Sequence, residues 1–96
     1  MNIVKEIGLP AVLEQTAEEC SELAQACLKL ARKMRNDNPT PKATNELWEN
    51  FYEELADVLV CVEALDESKN IDCQKVLDVQ GAKAGRWEQR IMESKI

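Results

Sequence analysis

Leu9, Leu13, Thr16, Cys20, Leu23, Cys27, Leu30 and Met34 follow one another at steps of four and three without interruption. Steps of that size return each side chain to one face of an α-helix, so the seam predicts one long packed helix. Ala17, Ala24 and Ala31 run beside the seam and allow a second helix to approach closely. Lys29, Arg32, Lys33 and Arg35 crowd its last turn, where cations complement the negative end of the helix dipole. Pro10 fits the first position of this helix. Met1 to Gly8 reads as a short lead-in that could form a turn of helix.

The segment Asn36–Lys42 is a loop by composition. Thr40 followed by Pro41 reads as an N-cap with proline just inside a second helix. That helix runs to about Asp66, with a core stripe of Leu47, Phe51, Leu55, Val58, Val62 and Leu65. A second stripe, Asn50, Glu54, Asp57 and Cys61, occupies another face. Glu67 to Asn70 is a turn, and Asn70 or Asp72 caps a third helix from about Asp72 to Ser94. Its expected inward residues are Cys73, Val76, Leu77, Gln80, Ala84, Trp87 and Ile91. Gly81 and Gly85 weaken it by roughly 1 kcal/mol each relative to Ala, and mark close packing or a kink. No strand pattern is present. The expected fold is all-α, an antiparallel helical bundle formed by residues 1–96 as a single domain. A chain this short buries only roughly 60–65% of its unfolded surface, which favours oligomerisation.

The net charge is −6, which argues against a nucleic-acid polymer as partner. The charge is concentrated: between Asn36 and Ile71 nine acids stand against Lys42 and Lys69. That balance suits cation binding, and equally a solvated helix. Cys20, Cys27, Cys61 and Cys73 form no Cys-x-x-Cys pair, and the chain has no His, which removes most zinc patterns. All four cysteines lie among apolar neighbours, so buried reduced thiols are expected. No signal-peptide layout and no span of about 20 apolar residues is present, so the expected setting is cytoplasmic, with no membrane partner.

Glu19 and Glu22 stand three residues apart on the first helix, and Glu54 and Asp57 on the second. Each pair shares one helix face. Glu46–Glu49 and Glu63–Asp66 have the same spacing, so spacing alone is not diagnostic. The surroundings differ: Cys20, Leu23, Ala26 and Cys27 flank the first pair, and Leu55, Ala56, Val58 and Leu59 the second. If the helices face each other, four carboxylates converge, and their repulsion in a partly dry setting calls for a hard divalent cation. Oxygen-only ligands select Mg²⁺, Mn²⁺ or Ca²⁺. Solvated acidic faces are the competing reading. On the third helix Lys83, Arg86 and Arg90 form a basic stripe suited to phosphate oxygens, or to surface ion pairs with Glu88, Glu93 and the acidic middle segment. Trp48, Phe51 and Tyr52 precede the second pair; they either stack on a base or pack in a core or interface.

The ordered set Glu18-Glu19-x-x-Glu22-Leu23, Glu53-Glu54-Leu55-Ala56-Asp57-Val58-Leu59 and Lys83-x-x-Arg86-Trp87-x-x-Arg90 resembles the MazG-like branch of the all-α NTP pyrophosphatases. The resemblance covers about Leu9 to Arg90. It implies hydrolysis of a nucleoside triphosphate to the monophosphate and pyrophosphate with Mg²⁺, Mn²⁺ being possible, in clearance of non-standard or surplus nucleotides. It implies Glu19, Glu22, Glu54 and Asp57 as metal ligands and Lys83, Arg86 and Arg90 on the phosphates. It also implies a homodimer or dimer-based tetramer that completes a four-helix bundle. In a metal-assisted hydrolysis one of the four carboxylates, with Glu22 and Glu54 the first candidates, orients the water. The interval between the acidic pairs, positions 23–53, is longer than that family usually shows. Two other functions fit the same pattern: a non-catalytic helical dimerisation module, and a pyrophosphohydrolase acting on phosphoribosyl-ATP.

Overall fold

The computed structural model describes residues 1–36 and 40–95, so the expected Asn36–Lys42 loop lies partly outside the described residues. Four helices account for most of the described chain: α1 (Ile3–Ile7), α2 (Leu9–Arg35), α3 (Thr44–Glu67) and α4 (Cys73–Ser94). Among the described residues there is no strand. The all-helical expectation therefore holds.

The lead-in is a true helix. The Asn2 side chain accepts a hydrogen bond from the Lys5 amide at 3.0 Å and caps α1. Gly8, at φ 95°, makes the sharp turn into α2, a conformation that glycine adopts without steric cost. α2 ends on Asn36 in the left-handed region, its amide donating to the Arg32 carbonyl at 2.9 Å. The start of α3 differs from expectation. Ala43, not Thr40, is the N-cap, and no side chain caps it. The Thr40 carbonyl instead accepts from Lys33 Nζ at 3.2 Å, which ties this segment to α2. α4 is capped by Asp72, whose side chain accepts from the Lys75 amide at 3.1 Å.

α2 packs along α3, and α1 lies against both. Val4, Val12, Ala64 and Leu65 form the core where α1 crosses the two longer helices. Ala26, Leu30, Leu47 and Cys61 extend the buried seam. Leu47 is the most enclosed of these, at 1% exposure.

The seam of α2 is rotated from the expected one. Val12, Thr16, Glu19, Leu23, Ala26, Leu30 and Lys33 face inward, again at steps of four and three. Leu13, Cys20, Cys27 and Met34, expected in the core, are exposed. α2 thus carries two apolar stripes, and α3 takes only one of them. On α3 the inward face mixes both expected stripes: Leu47, Phe51, Glu54, Val58, Cys61 and Leu65 are buried or half-buried, while Val62 is exposed. The cysteines divide in the same way. Cys61 is buried and Cys73 half-buried, but Cys20 and Cys27 are exposed free thiols, contrary to the expectation of four buried ones.

α4 departs furthest. It packs along none of the other helices and contains no buried residue. Val76, Leu77, Trp87 and Ile91 are exposed rather than inward, Trp87 at 67%. No atom beyond the helix backbone lies within 4 Å of a Cβ placed on Gly81 or Gly85, so neither glycine marks a close approach within the chain. The radius of gyration is 17.1 Å, against about 12–13 Å for a compact chain of this length. The accessible surface is 7565 Å², against about 5,600 Å² for a compact monomer of this mass.

Candidate metal centre

Antiparallel packing of α2 on α3 decides what the acidic pairs do. Val12 sits with Ala64 and Leu65, so rising numbers on α2 meet falling numbers on α3. Midway along, the Glu19–Glu22 face meets the Glu54–Asp57 face. One carboxylate oxygen from each of the four residues lies within 4.8 Å of the others. Glu19 and Glu54 are half-buried, while Glu22 and Asp57 lie toward solvent. The expected convergence of these four side chains is therefore present. The other two acidic pairs of the same spacing do not join such a group among the described residues.

The electrostatics are those of crowded, partly dry carboxylates. The Gln15 amide donates to Glu19 Oε1 at 2.7 Å and works to lower the pKa of that carboxyl. Burial and the charges of Glu22 and Asp57 outweigh it, and Glu19 sits above its ordinary value. Glu54 is likewise raised, first by burial and then by the closeness of Glu22, Asp57 and Glu19. Glu19 Oε2 and Glu54 Oε2 are buried atoms without a hydrogen-bond partner. A buried acceptor without a donor is costly. A divalent cation removes both the repulsion and the orphaned acceptors, so the donor set fits a hard metal. It does not select Mg²⁺ over Mn²⁺ or Ca²⁺.

Linkage gives this arrangement a signature in pH. The folded state holds protons on Glu19 and Glu54 that the unfolded chain releases near the ordinary value of 4.5. Stability is then greatest below that value and declines as pH rises through the raised pKa values. In EDTA, the Tm of the native chain should fall more steeply with rising pH than that of Glu54→Gln. Millimolar Mg²⁺ should raise Tm at neutral pH and lose its effect on acidification. Melting curves indifferent to Mg²⁺ and EDTA at pH 7 would count against the site.

The basic stripe is placed elsewhere. Lys83, Arg86 and Arg90 are exposed along α4, beside Trp87. Arg90 Nε donates to the Arg86 carbonyl at 3.4 Å, and among the described residues none of the three cations forms an ion pair. Because α4 packs along no other helix, the chain by itself does not bring this stripe onto the carboxylates. Trp48, Phe51 and Tyr52 pack on one another, with ring centroids 5.7 to 6.0 Å apart and the Trp48–Phe51 pair edge to face. Gln15 is a site residue that the acidic motifs alone do not reveal. Its signal is the four-residue interval to Glu19, which puts the amide one turn below the carboxylate.

Among the described residues, no helix is long and apolar enough to cross a membrane. No protein-family model, no curated protein and no solved structure matches the chain at a significant level.

Proposed function

We propose that the chain is a Mg²⁺-dependent nucleoside triphosphate pyrophosphohydrolase, resembling the MazG-like enzymes in motif order. One observation carries this reading: four carboxylates from two helices converge within 4.8 Å and leave two buried oxygens without partners. Glu19, Glu22, Glu54 and Asp57 hold the metal. When bound, Mg²⁺ supplies Lewis-acid charge for phosphate oxygens and eases deprotonation of the attacking water. Glu22 or Glu54 orients that water and takes its proton. Water adds to the α-phosphorus, the bond to the α–β bridging oxygen breaks, and monophosphate and pyrophosphate leave.

The partner expected to complete the site is a second copy of the chain. The surface beyond that of a compact monomer, about 2,000 Å², exceeds the ~800 Å² per partner of a standard interface. An oligomer would also give α4 a surface to cover, and would let Lys83, Arg86 and Arg90 reach the phosphates from the neighbouring copy. A non-catalytic dimerisation module is the second reading, favoured by the exposed apolar stripe of α4 and by the distance of the basic stripe from the carboxylates within one chain.

A screen of canonical and modified nucleoside triphosphates for pyrophosphate release, run with Mg²⁺ and with Mn²⁺, separates the two. The hydrolase reading expects turnover of at least one substrate that EDTA abolishes. No release from any of them, together with a stable oligomer, favours the module.

A further inference from the structure

α2 carries a second seam that α3 does not cover. Leu13, Cys20, Cys27 and Met34 are exposed, Leu13 at 50% and Met34 at 63%. Ala17 and Ala24 lie exposed between them, and half-buried Ala31 completes the steps of four and three. One position of rotation, roughly 100°, separates this stripe from the seam on α3. A helix with two apolar faces about a right angle apart suits a corner of a four-helix bundle, with a neighbour on each face. α3 fills one of those two places.

The stripe is close to a palindrome. Reversed about Ala24, Leu13 falls on Met34, Ala17 on Ala31 and Cys20 on Cys27, each to within a residue. Such a pattern complements itself under a two-fold axis, where residue i meets j and j meets i. The charges are ordered in the same sense. Every acid of α2 lies at or before Glu22, and every base at or after Lys29. Two parallel copies of this helix would set like charges side by side. Two antiparallel copies set the exposed Glu14 against Arg35 and the exposed Glu18 against Arg32, once on each side of the axis. They also oppose the two helix dipoles. Alanine at the centre lets the backbones come close, and the soft thiols fill the layers on either side.

We propose that two copies of the chain pack antiparallel along this face of α2, with the two-fold axis at Ala24 and Cys20 of each copy against Cys27 of the other. The face, the direction and the register of the association are thereby fixed. The contact stands apart from nucleotide hydrolysis, so it and the hydrolase reading fail separately.

Cys20 and Cys27 of one copy lie two turns apart, about 10 Å along the axis. That exceeds the roughly 7 Å between Cα atoms that a disulfide can bridge. A disulfide between these two positions therefore joins two chains. The test treats the native chain with the azo oxidant diamide. Two thiols lose two protons and two electrons as the S–S bond forms, and the N=N bond is reduced to a hydrazine. Non-reducing electrophoresis and peptide mass mapping should find a dimer joined through Cys20 and Cys27. Cys20→Ser and Cys27→Ser should each lose that link, and an equal mixture of the two should regain it in part. Ala24→Glu, at a position exposed in the single chain, should keep its helicity and associate at least about thirtyfold more weakly by light scattering in reductant. Links of Cys20 to Cys20 and Cys27 to Cys27 would mean a parallel contact and overturn the proposal. A dimer whose α2 thiols stay unlinked overturns it too, because another segment, α4 included, then covers the stripe. A monomeric native chain, or a folded Ala24→Glu of unchanged mass, has the same consequence. If Ala24→Glu fails to fold, the linkage pattern of the native chain decides.

Discussion

Glu54→Gln should abolish pyrophosphate release while leaving the chain folded, and should melt at a higher temperature than the native protein in EDTA. The two effects have one cause. Glu54 is half-buried, its Oε2 has no donor, and its carboxyl is raised by burial and by three neighbouring carboxylates. Without metal, charge at this position opposes folding, and a neutral amide of the same shape relieves it. With metal, the same substitution removes a proposed ligand and a proposed base. Loss of a general base alone costs about 10²–10⁴ in rate. Opposite signs in the two measurements are the mark of a site held in a strained state for function. Circular dichroism checks the fold, melting curves in EDTA and in Mg²⁺ check the stability, and a pyrophosphate assay checks the chemistry. Retained turnover would remove Glu54 from the site. A lower Tm in EDTA would mean that the four carboxylates do not repel one another as their spacing requires.

The chain should also sediment as a dimer or dimer-based tetramer at micromolar concentration, and Trp87→Asp or Ile91→Asp should shift it toward monomer. α4 shows why. Val76, Leu77, Trp87 and Ile91 are exposed apolar side chains on a helix that packs along none of the others and buries no residue. A lone helix of that length is marginal in water, since helices gain most of their stability from packing an apolar face. Leu13 on α2, and Leu59 and Val62 on α3, offer exposed apolar side chains of the same kind. Replacing a buried interface aromatic typically costs at least about 2 kcal/mol, roughly thirtyfold in Kd. An aspartate in an apolar contact costs more. Light scattering reads the mass, and Leu59→Asp puts the exposed apolar side chains of α3 to the same test. A monomeric native chain would overturn the expectation, as would substituted chains of unchanged mass.

The positions of α2, α3 and α4 were legible from periodicity, turn residues and the Asp72 cap, because helix formation is governed by neighbours three and four residues away. The start of α3 was misplaced: the helix begins at Thr44 after Ala43, and the Thr40 carbonyl is met by Lys33 of α2, a contact between separate segments. The acidic pairs were legible as pairs. That Glu19–Glu22 and Glu54–Asp57 meet, while Glu46–Glu49 and Glu63–Asp66 do not join them, depends on where two helices stand along each other.

Local sequence determined which segments are helical, where most of them stop, and which residues share a face. Tertiary structure alone decided which of two apolar stripes on α2 became the core. Both stripes have the same four-three rhythm, and rotating the helix by one position exchanges them. The stripe that packs contains Glu19, so the rotation also carries a carboxylate into the seam beside Glu54. The same packing leaves Leu13, Met34 and nearly all of α4 uncovered. The physical reason is that periodicity states only that a face is apolar, whereas the identity of its partner is settled by the summed contacts of whole helices.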